Sequence, residues 1–191
     1  MALPAQYRPH VAHKRVVVRS VSRSSIAAAV LAFVFAAMCG LCIATFGVQL
    51  TRVDGPSMEP TIDDQDCVFV DRLAYELGTA PSPGDIVTLY YPADPDRVFV
   101  KRVIASGGQS VRITDGHVFV DGEPLRDDYV DAARRGHDNW GPQIVSDGYY
   151  FVMGDDRSDS SDSREWGFVP RRYVIGKVKF RLWPLRRLAT F

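Results

Sequence analysis

Two hydrophobic patterns divide this chain. Residues 24 to 51 carry no charged side chain, and Ile26 to Val48 is almost wholly apolar with no polar stripe at helical spacing. As a helix that run would extend roughly 34 Å, the thickness of a bilayer core. A cleaved export signal has a shorter apolar region of about 7–15 residues, so the segment reads as an uncleaved transmembrane helix over residues 25–50. From Asp66 onward the period changes from none to two. C-V-F-V, G-D-I-V-T-L-Y-Y, R-V-F-V-K-R-V-I, Q-S-V-R-I-T, H-V-F-V, G-Y-Y-F-V-M and V-I-G-K-V-K-F-R-L are short runs rich in Val, Ile, Phe and Tyr, the composition of β-strands. Asp115-Gly116 between two such runs predicts a tight hairpin, and Asp121-Gly122 a second turn. Residues 123–148 lack periodicity and read as an irregular excursion from the main sheet, with room for a further strand pair. The fold class is therefore mostly β behind one N-terminal helix.

Charge orients this arrangement. Arg8, Lys14, Arg15, Arg19 and Arg23 precede the apolar run with no acidic residue among them, five of the 23 basic residues, which leaves 18 against 23 acidic ones in the rest. Positive charge flanking a span stays in the cytoplasm. Residues 1–24 are thus expected as a cytoplasmic basic tail, and 51–191 as an extracytoplasmic domain. The basic residues cluster before the span rather than on a folded face, which argues against nucleic acid as a partner. Cys39 and Cys42 fall within the apolar run, so Cys67 has no partner in its own domain. The C-terminal R-L-W-P-L-R-R-L is too short to span; its Trp183 and arginines suit either a membrane interface or a solvated tail.

The candidate chemistry starts at V-D-G-P-S-M-E-P-T, Val53 to Thr61. Glycine and proline restrict the backbone on both sides of Ser57, so its hydroxyl is presented at a defined angle or is simply a turn residue. Lys101 sits within an apolar strand, and alternation sends it and Arg102 to opposite faces. Either both lie on solvated faces, or Lys101 points into a dry site. At its ordinary pKa only about one amine in 2,500 is neutral at pH 7, so service as a base needs a depression of roughly three units. A serine with a lysine base needs no histidine. His117, after the hairpin turn, and His137, in the excursion, read as surface residues. No metal-ligand spacing occurs, and the acid-rich D-D-R-S-D-S-S-D-S-R at 155–164 lacks the glycine and terminal glutamate of a calcium loop; ion pairs and turns account for it better.

Taken together, G-P-S-M-E-P-T, G-D-I-V at 84–87, V-K-R-V at 100–103 and M-G-D-D-R-S-D-S-S-D-S-R-x-W-G-F-V-P from Met153 to Pro170 resemble the ordered boxes of bacterial type I signal peptidases. The single N-terminal anchor is similar to the shorter, Gram-positive style of that family, whose β fold is related to that of self-cleaving repressors. The resemblance implies that Ser57 is the nucleophile and Lys101 the general base. It implies that Ser160 hydrogen-bonds and orients the lysine amine, and that Asp155, Asp162, Arg102 and Arg164 are structural ion pairs tying the last box to the lysine strand. Gly154, Trp166 and Gly167 match positions that shape the turns. Two departures stand out. Asp156 replaces the amide of the G-D-N-R that many relatives carry, and Gly55 stands where some relatives carry a serine that helps bind the oxyanion. The Ser57 backbone N–H is then the assigned oxyanion donor, with Gly55 at the rim of that site. A small side chain at Gly55 is expected to fit there, unless the glycine is required for a positive φ.

What the resemblance implies for function is removal of signal peptides from exported preproteins at the outer face of the cytoplasmic membrane, without cofactor or metal. The partners are signal-peptide-bearing preproteins, membrane lipid and, by proximity, the export translocon. Two alternatives are a membrane-bound processing peptidase for a narrow substrate and a non-catalytic membrane-tethered binding module. The intact Ser57, Lys101 and Ser160 argue against the second.

Overall fold

The computed structural model describes residues 23–42, 47–76 and 78–191. Apart from its last two residues, the expected cytoplasmic tail lies outside them. The chain divides into two compact units, one up to Gly40 and one from Leu41 onward. The first contains all but the last two residues of helix α1, Arg23–Cys42, along which Ile26, Leu31, Phe33, Phe35 and Met38 are all exposed. Among the described residues no helix is long and apolar enough to cross a membrane. The expected helix over 25–50 also differs at its far end, where Val48–Leu50 are strand. V-Q-L-T-R alternates, and it finds a partner in register, Val48 opposite Asp71 through Arg52 opposite Cys67.

In chain order the strands are β1 (Val48–Arg52), β2 (Cys67–Asp71), β3 (Ile86–Tyr91), β4 (Asp94–Ser106), β5 (Ser110–Thr114), β6 (His117–Val120), β7 (Glu123–Pro124), β8 (Trp140–Ile144), β9 (Tyr149–Met153), β10 (Val169–Pro170), β11 (Val174–Trp183) and β12 (Ala189–Thr190), with a short helix α2 (Ser163–Trp166) between β9 and β10. Among the described residues they form two sheets. The larger runs β1-β2-β11-β3-β4-β9-β10, with β12 paired to β11, and the smaller runs β7-β6-β5-β8. The excursion therefore is not loop alone. Its strands β7 and β8 flank the β5–β6 hairpin, whose turn residues Asp115 and Gly116 both have positive φ, as do Asp121 and Gly122 in the next turn. Two consecutive left-handed residues form the tight turn whose twist matches paired strands.

Three apolar clusters hold the second unit together. Val53, Met58, Ile62, Val68, Val70, Ile86, Val100 and Val178 form one, Val87, Leu89, Val103, Tyr150, Val152 and Val169 lie in a second, and Ile104, Val111, Ile113, Val118 and Phe151 lie in a third beneath the small sheet. Strand β4 passes through all three, since Val100 belongs to the first, Val103 to the second and Ile104 to the third. Residues 100–105 are consequently buried without a solvated face. The C-terminal segment is not a free tail, because Arg181 donates to the Thr61 carbonyl at 2.8 Å and to Asp66 at 3.1 Å, while Phe191 packs against the first cluster.

One glycine sets how closely the segment after β9 approaches the turn after β1. A β-carbon on Gly154 would collide with Ser160 Oγ and with the backbone carbonyl oxygen of Ser57. Overpacking a close site typically costs about 1–3 kcal/mol, and backbone yields less readily than a side chain. Gly154→Ala is predicted to lower the denaturant midpoint of the full-length chain by a corresponding amount; an unchanged midpoint would show that the two segments are free to separate.

Candidate active site

The turn that carries Ser57 is pinned from both ends. Gly55 has φ +103°, and its N–H donates to Asp64 Oδ1 at 2.8 Å. After the serine the chain coils, with Glu59 N–H donating to the Pro56 carbonyl at 2.8 Å and Ile62 N–H to the Met58 carbonyl at 2.9 Å. Met58 and Ile62 are fully buried in the first apolar cluster. The turn is anchored through the neighbour of Ser57, which leaves Ser57 itself half-buried at the surface of the cleft. Its carbonyl accepts the N–H of Asp156 at 3.1 Å, so the last box is hydrogen-bonded directly to the serine backbone.

Lys101 reaches the same point from β4. It is 3% exposed, its Nζ donates to Ser57 Oγ at 2.7 Å, and the Phe99 ring centroid lies 5.4 Å away. Phe99, Lys101 and Val103 share one face of the strand, while Val100 and Arg102 share the other. Burial pushes the Lys101 pKa down to about 8, against the opposing pull of Asp162; Arg164 adds to the depression, and Asp155 and Asp159 act against it. A group with that pKa is about one-tenth neutral at pH 7, two to three orders of magnitude more than a free lysine.

On the opposite face Arg102 meets Asp155 through two parallel bonds, Nε to Oδ1 at 2.8 Å and Nη2 to Oδ2 at 2.6 Å. It also donates to the Gly84 carbonyl at 3.0 Å and lies 3.9 Å over the Tyr129 ring. This pair joins the last box to the lysine strand. Asp162 and Arg164 do not. Arg164 Nε donates to Asp162 Oδ1 at 2.8 Å, inside the last box, where Asp162 also caps α2 by accepting the Arg164 N–H and takes the Gly154 N–H at 3.1 Å. The expectation of two ties to the lysine strand is corrected to one, because two residues of separation let Arg164 fold back on its own neighbour.

Two further expectations change. Ser160 Oγ is buried and, among the described residues, has no hydrogen-bond partner, so the bond expected from it to Lys101 is not formed. Gly55 lines the cleft, but its N–H is already committed to Asp64 and its φ lies where L side chains are strained, although a β-carbon there would meet nothing within 4 Å. The requirement at Gly55 is conformational. His117 and His137 are both exposed, His137 binding Asp115 at the hairpin at 2.7 Å.

Sequence reasoning missed a second ring of charges. Arg134 bonds Glu59 and Asp156, and Arg135 clasps Asp127 at 2.8 and 3.0 Å, with Arg157 3.4 Å from the same carboxylate. The one visible signal was the carboxylate at Asp156, in the position noted above as a departure from the family pattern. Around the dyad, residues 51–57 and 98–101 with Asp159 and Ser161 line a cleft of about 400 Å³.

Comparison with known proteins agrees with this geometry. The signal peptidase I of Leptolyngbya laminosa is 34% identical over 154 residues, covering 76% of this chain and 74% of its own. A probable signal peptidase I of Synechocystis is 36% identical, covering 76% of this chain and 68% of its own, and signal peptidase I S of Bacillus subtilis is 32% identical, covering 82% and 89%. Residues 26–183 match the family described as signal peptidase, peptidase S26. With a serine and a buried lysine amine in contact within the matched region, the chain belongs to the signal peptidase family, peptidase S26.

Proposed function

We propose that this chain is a membrane-anchored serine–lysine endopeptidase that removes signal peptides from exported preproteins. The observation that carries the reading is the 2.7 Å contact between Ser57 Oγ and the buried Lys101 Nζ. In the neutral amine the same contact serves the Ser57 O–H as donor. Lys101 takes that proton as Ser57 Oγ attacks the scissile carbonyl. The ammonium then protonates the leaving amine, and the neutral amine activates water to release the acyl group. We assign the Ser57 N–H as oxyanion donor. Ser160 is assigned as a positioning residue on the resemblance of its box; its hydroxyl is buried without a partner among the described residues, which costs about 1–3 kcal/mol, and it lies against Gly154, next to the Ser57 carbonyl.

The cleft favours an extended substrate. Strand β9 pairs with β4 only along Arg102 to Ser106, so the edge from Val98 to Lys101 is open among the described residues. Strand β1 is likewise an edge strand. A peptide added between them presents alternate side chains to the cleft, and small residues at the two positions read before the cut are the expected preference. The apolar run from residue 25 up to the start of β1 at Val48 is proposed as the anchor. In support, the part described as α1 is apolar on every side, a pattern that needs an apolar surrounding. Anchoring with the N-terminus inside sets the catalytic domain among lipid headgroups at the outer face, beside the translocon from which preproteins emerge.

Ser57→Ala and Lys101→Ala are each predicted to abolish cleavage of a purified preprotein by the detergent-solubilised full-length chain, with folding retained, because the pair acts as one unit. Substantial turnover by either variant would sink the assignment.

The base works only when neutral, so kcat/KM should rise about tenfold per pH unit from the acid side and level off above a midpoint near the Lys101 pKa of about 8. Ser160→Ala should lower the rate strongly without matching Lys101→Ala. A flat profile between pH 6 and 10 would mean that another group is the base.

At Gly55 the left-handed backbone decides the outcome, since an L residue there costs roughly 1–2 kcal/mol. Gly55→Ser and Gly55→Leu are expected to lose activity to a similar degree; retained or raised activity in Gly55→Ser alone would restore the oxyanion role.

A further inference from the structure

The small sheet sends one side chain into the machinery described above. Arg134 ends a 3-10 turn, Ala132–Arg134, that Asp131 caps by accepting the Ala133 N–H. From there its Nη2 donates to Glu59 Oε2 at 2.7 Å and its Nη1 to Asp156 Oδ2. Its backbone carbonyl accepts the Ser158 N–H at 3.0 Å. Glu59 lies two residues beyond Ser57 in the same turn, and Asp156 is the residue whose N–H is bonded to the Ser57 carbonyl. One guanidinium thus joins the turn bearing the serine to the box that packs against the lysine.

We infer that Arg134 is a positioning residue, clamping the Ser57 turn to the last box so that the Ser57 hydroxyl stays in line with Lys101. The inference rests on the serine–lysine reading. Asp156 is almost fully enclosed and Glu59 about three-quarters enclosed, so without the guanidinium two carboxylates would face each other with little water between them. Like charges at short range repel, and the repulsion acts along the line that separates the two segments. The clamp also gives a physical reason for Asp156: an amide at that position would offer Arg134 a weaker, uncharged acceptor. Other acceptor capacity of Asp156 is used locally, where Oδ1 takes the Ser158 hydroxyl at 2.8 Å and the Asp159 N–H at 3.1 Å. The small sheet is therefore part of the active-site scaffold, and its loop determines where the nucleophile sits.

The test is a double-mutant cycle on the full-length solubilised chain, reading kcat and KM on a purified preprotein with an Ala-x-Ala cleavage site. Arg134→Ala is expected to lower kcat by about tenfold or more with KM within about twofold, since small misplacements of reacting groups carry losses of this size. The acid-limb midpoint should not move, because the charges acting on Lys101 are those of Asp162, Arg164, Asp155 and Asp159. Glu59→Gln added to Arg134→Ala should cost nothing further, whereas independent residues would give multiplied losses. Arg134→Lys, which keeps the charge but cannot fork, should fall between. If Arg134→Ala fails to fold, the same cycle built on Arg134→Lys and Glu59→Gln decides, non-additive losses supporting the clamp and multiplicative ones overturning it. A kcat for Arg134→Ala within twofold of the parent overturns the clamp and leaves the dyad standing. Cleavage by Ser57→Ala overturns the dyad on which the clamp rests.

Discussion

A lysine amine can act as a base near neutral pH only if water is kept from its charged form, and burying a cation is costly unless the surroundings make its neutral form the cheaper one. Strand β4 meets that demand by lying in the interior. Its neighbours Val100, Val103, Ile104 and Ala105 are buried in three different apolar clusters, so position 101 has no solvated face available. The serine is delivered to this dry site by a turn whose next residue, Met58, is locked into one of those clusters.

The adjacent cation on the same strand is handled in the opposite way. Arg102 keeps its charge because Asp155 meets it with two parallel bonds, and a guanidinium gives up its charge far less readily than an amine. Alternation puts the two cations on opposite faces, so Asp155, which meets Arg102 directly, counts for less at Lys101 than burial and Asp162 do. Two consecutive basic residues thereby receive opposite electrostatic treatment from one strand.

Around this core the last box works as a carrier of short bonds. Asp162 caps a helix, takes the Gly154 N–H and holds Arg164, while Asp156 reaches the backbone of Ser57. Gly154 permits the approach because it has no side chain to hold the segments apart. The interactions of the small sheet reach the same region through Tyr129, Arg134 and Arg135, which couples a seemingly peripheral element to the geometry of the dyad.

Much of this was readable in the order of residues. Period-two runs located β2 to β6, β9 and β11, missing β8 in the excursion and the two-residue β7 and β10, and Asp-Gly pairs marked two turns, because backbone pleating and left-handed turn geometry act on nearest neighbours. Ser57, Lys101 and Ser160 stood in recognisable boxes. Other features depended on distant partners. Whether Lys101 faced water or the interior turned on β3 lying on one side of β4 and apolar clusters on both of its faces, since its own alternation was compatible with either. Strand β1 was concealed within the apolar run until β2 paired with it. The absence of a Ser160–Lys101 bond, the inward fold of Arg164 onto Asp162, and the bridge from Arg134 to residues 75 and 22 positions away rest on angles and distances across the chain. Local pattern determines which residues alternate and where the chain turns; only packing determines which charges are stripped of water and which meet a partner, because those energies depend on what arrives from elsewhere in the fold.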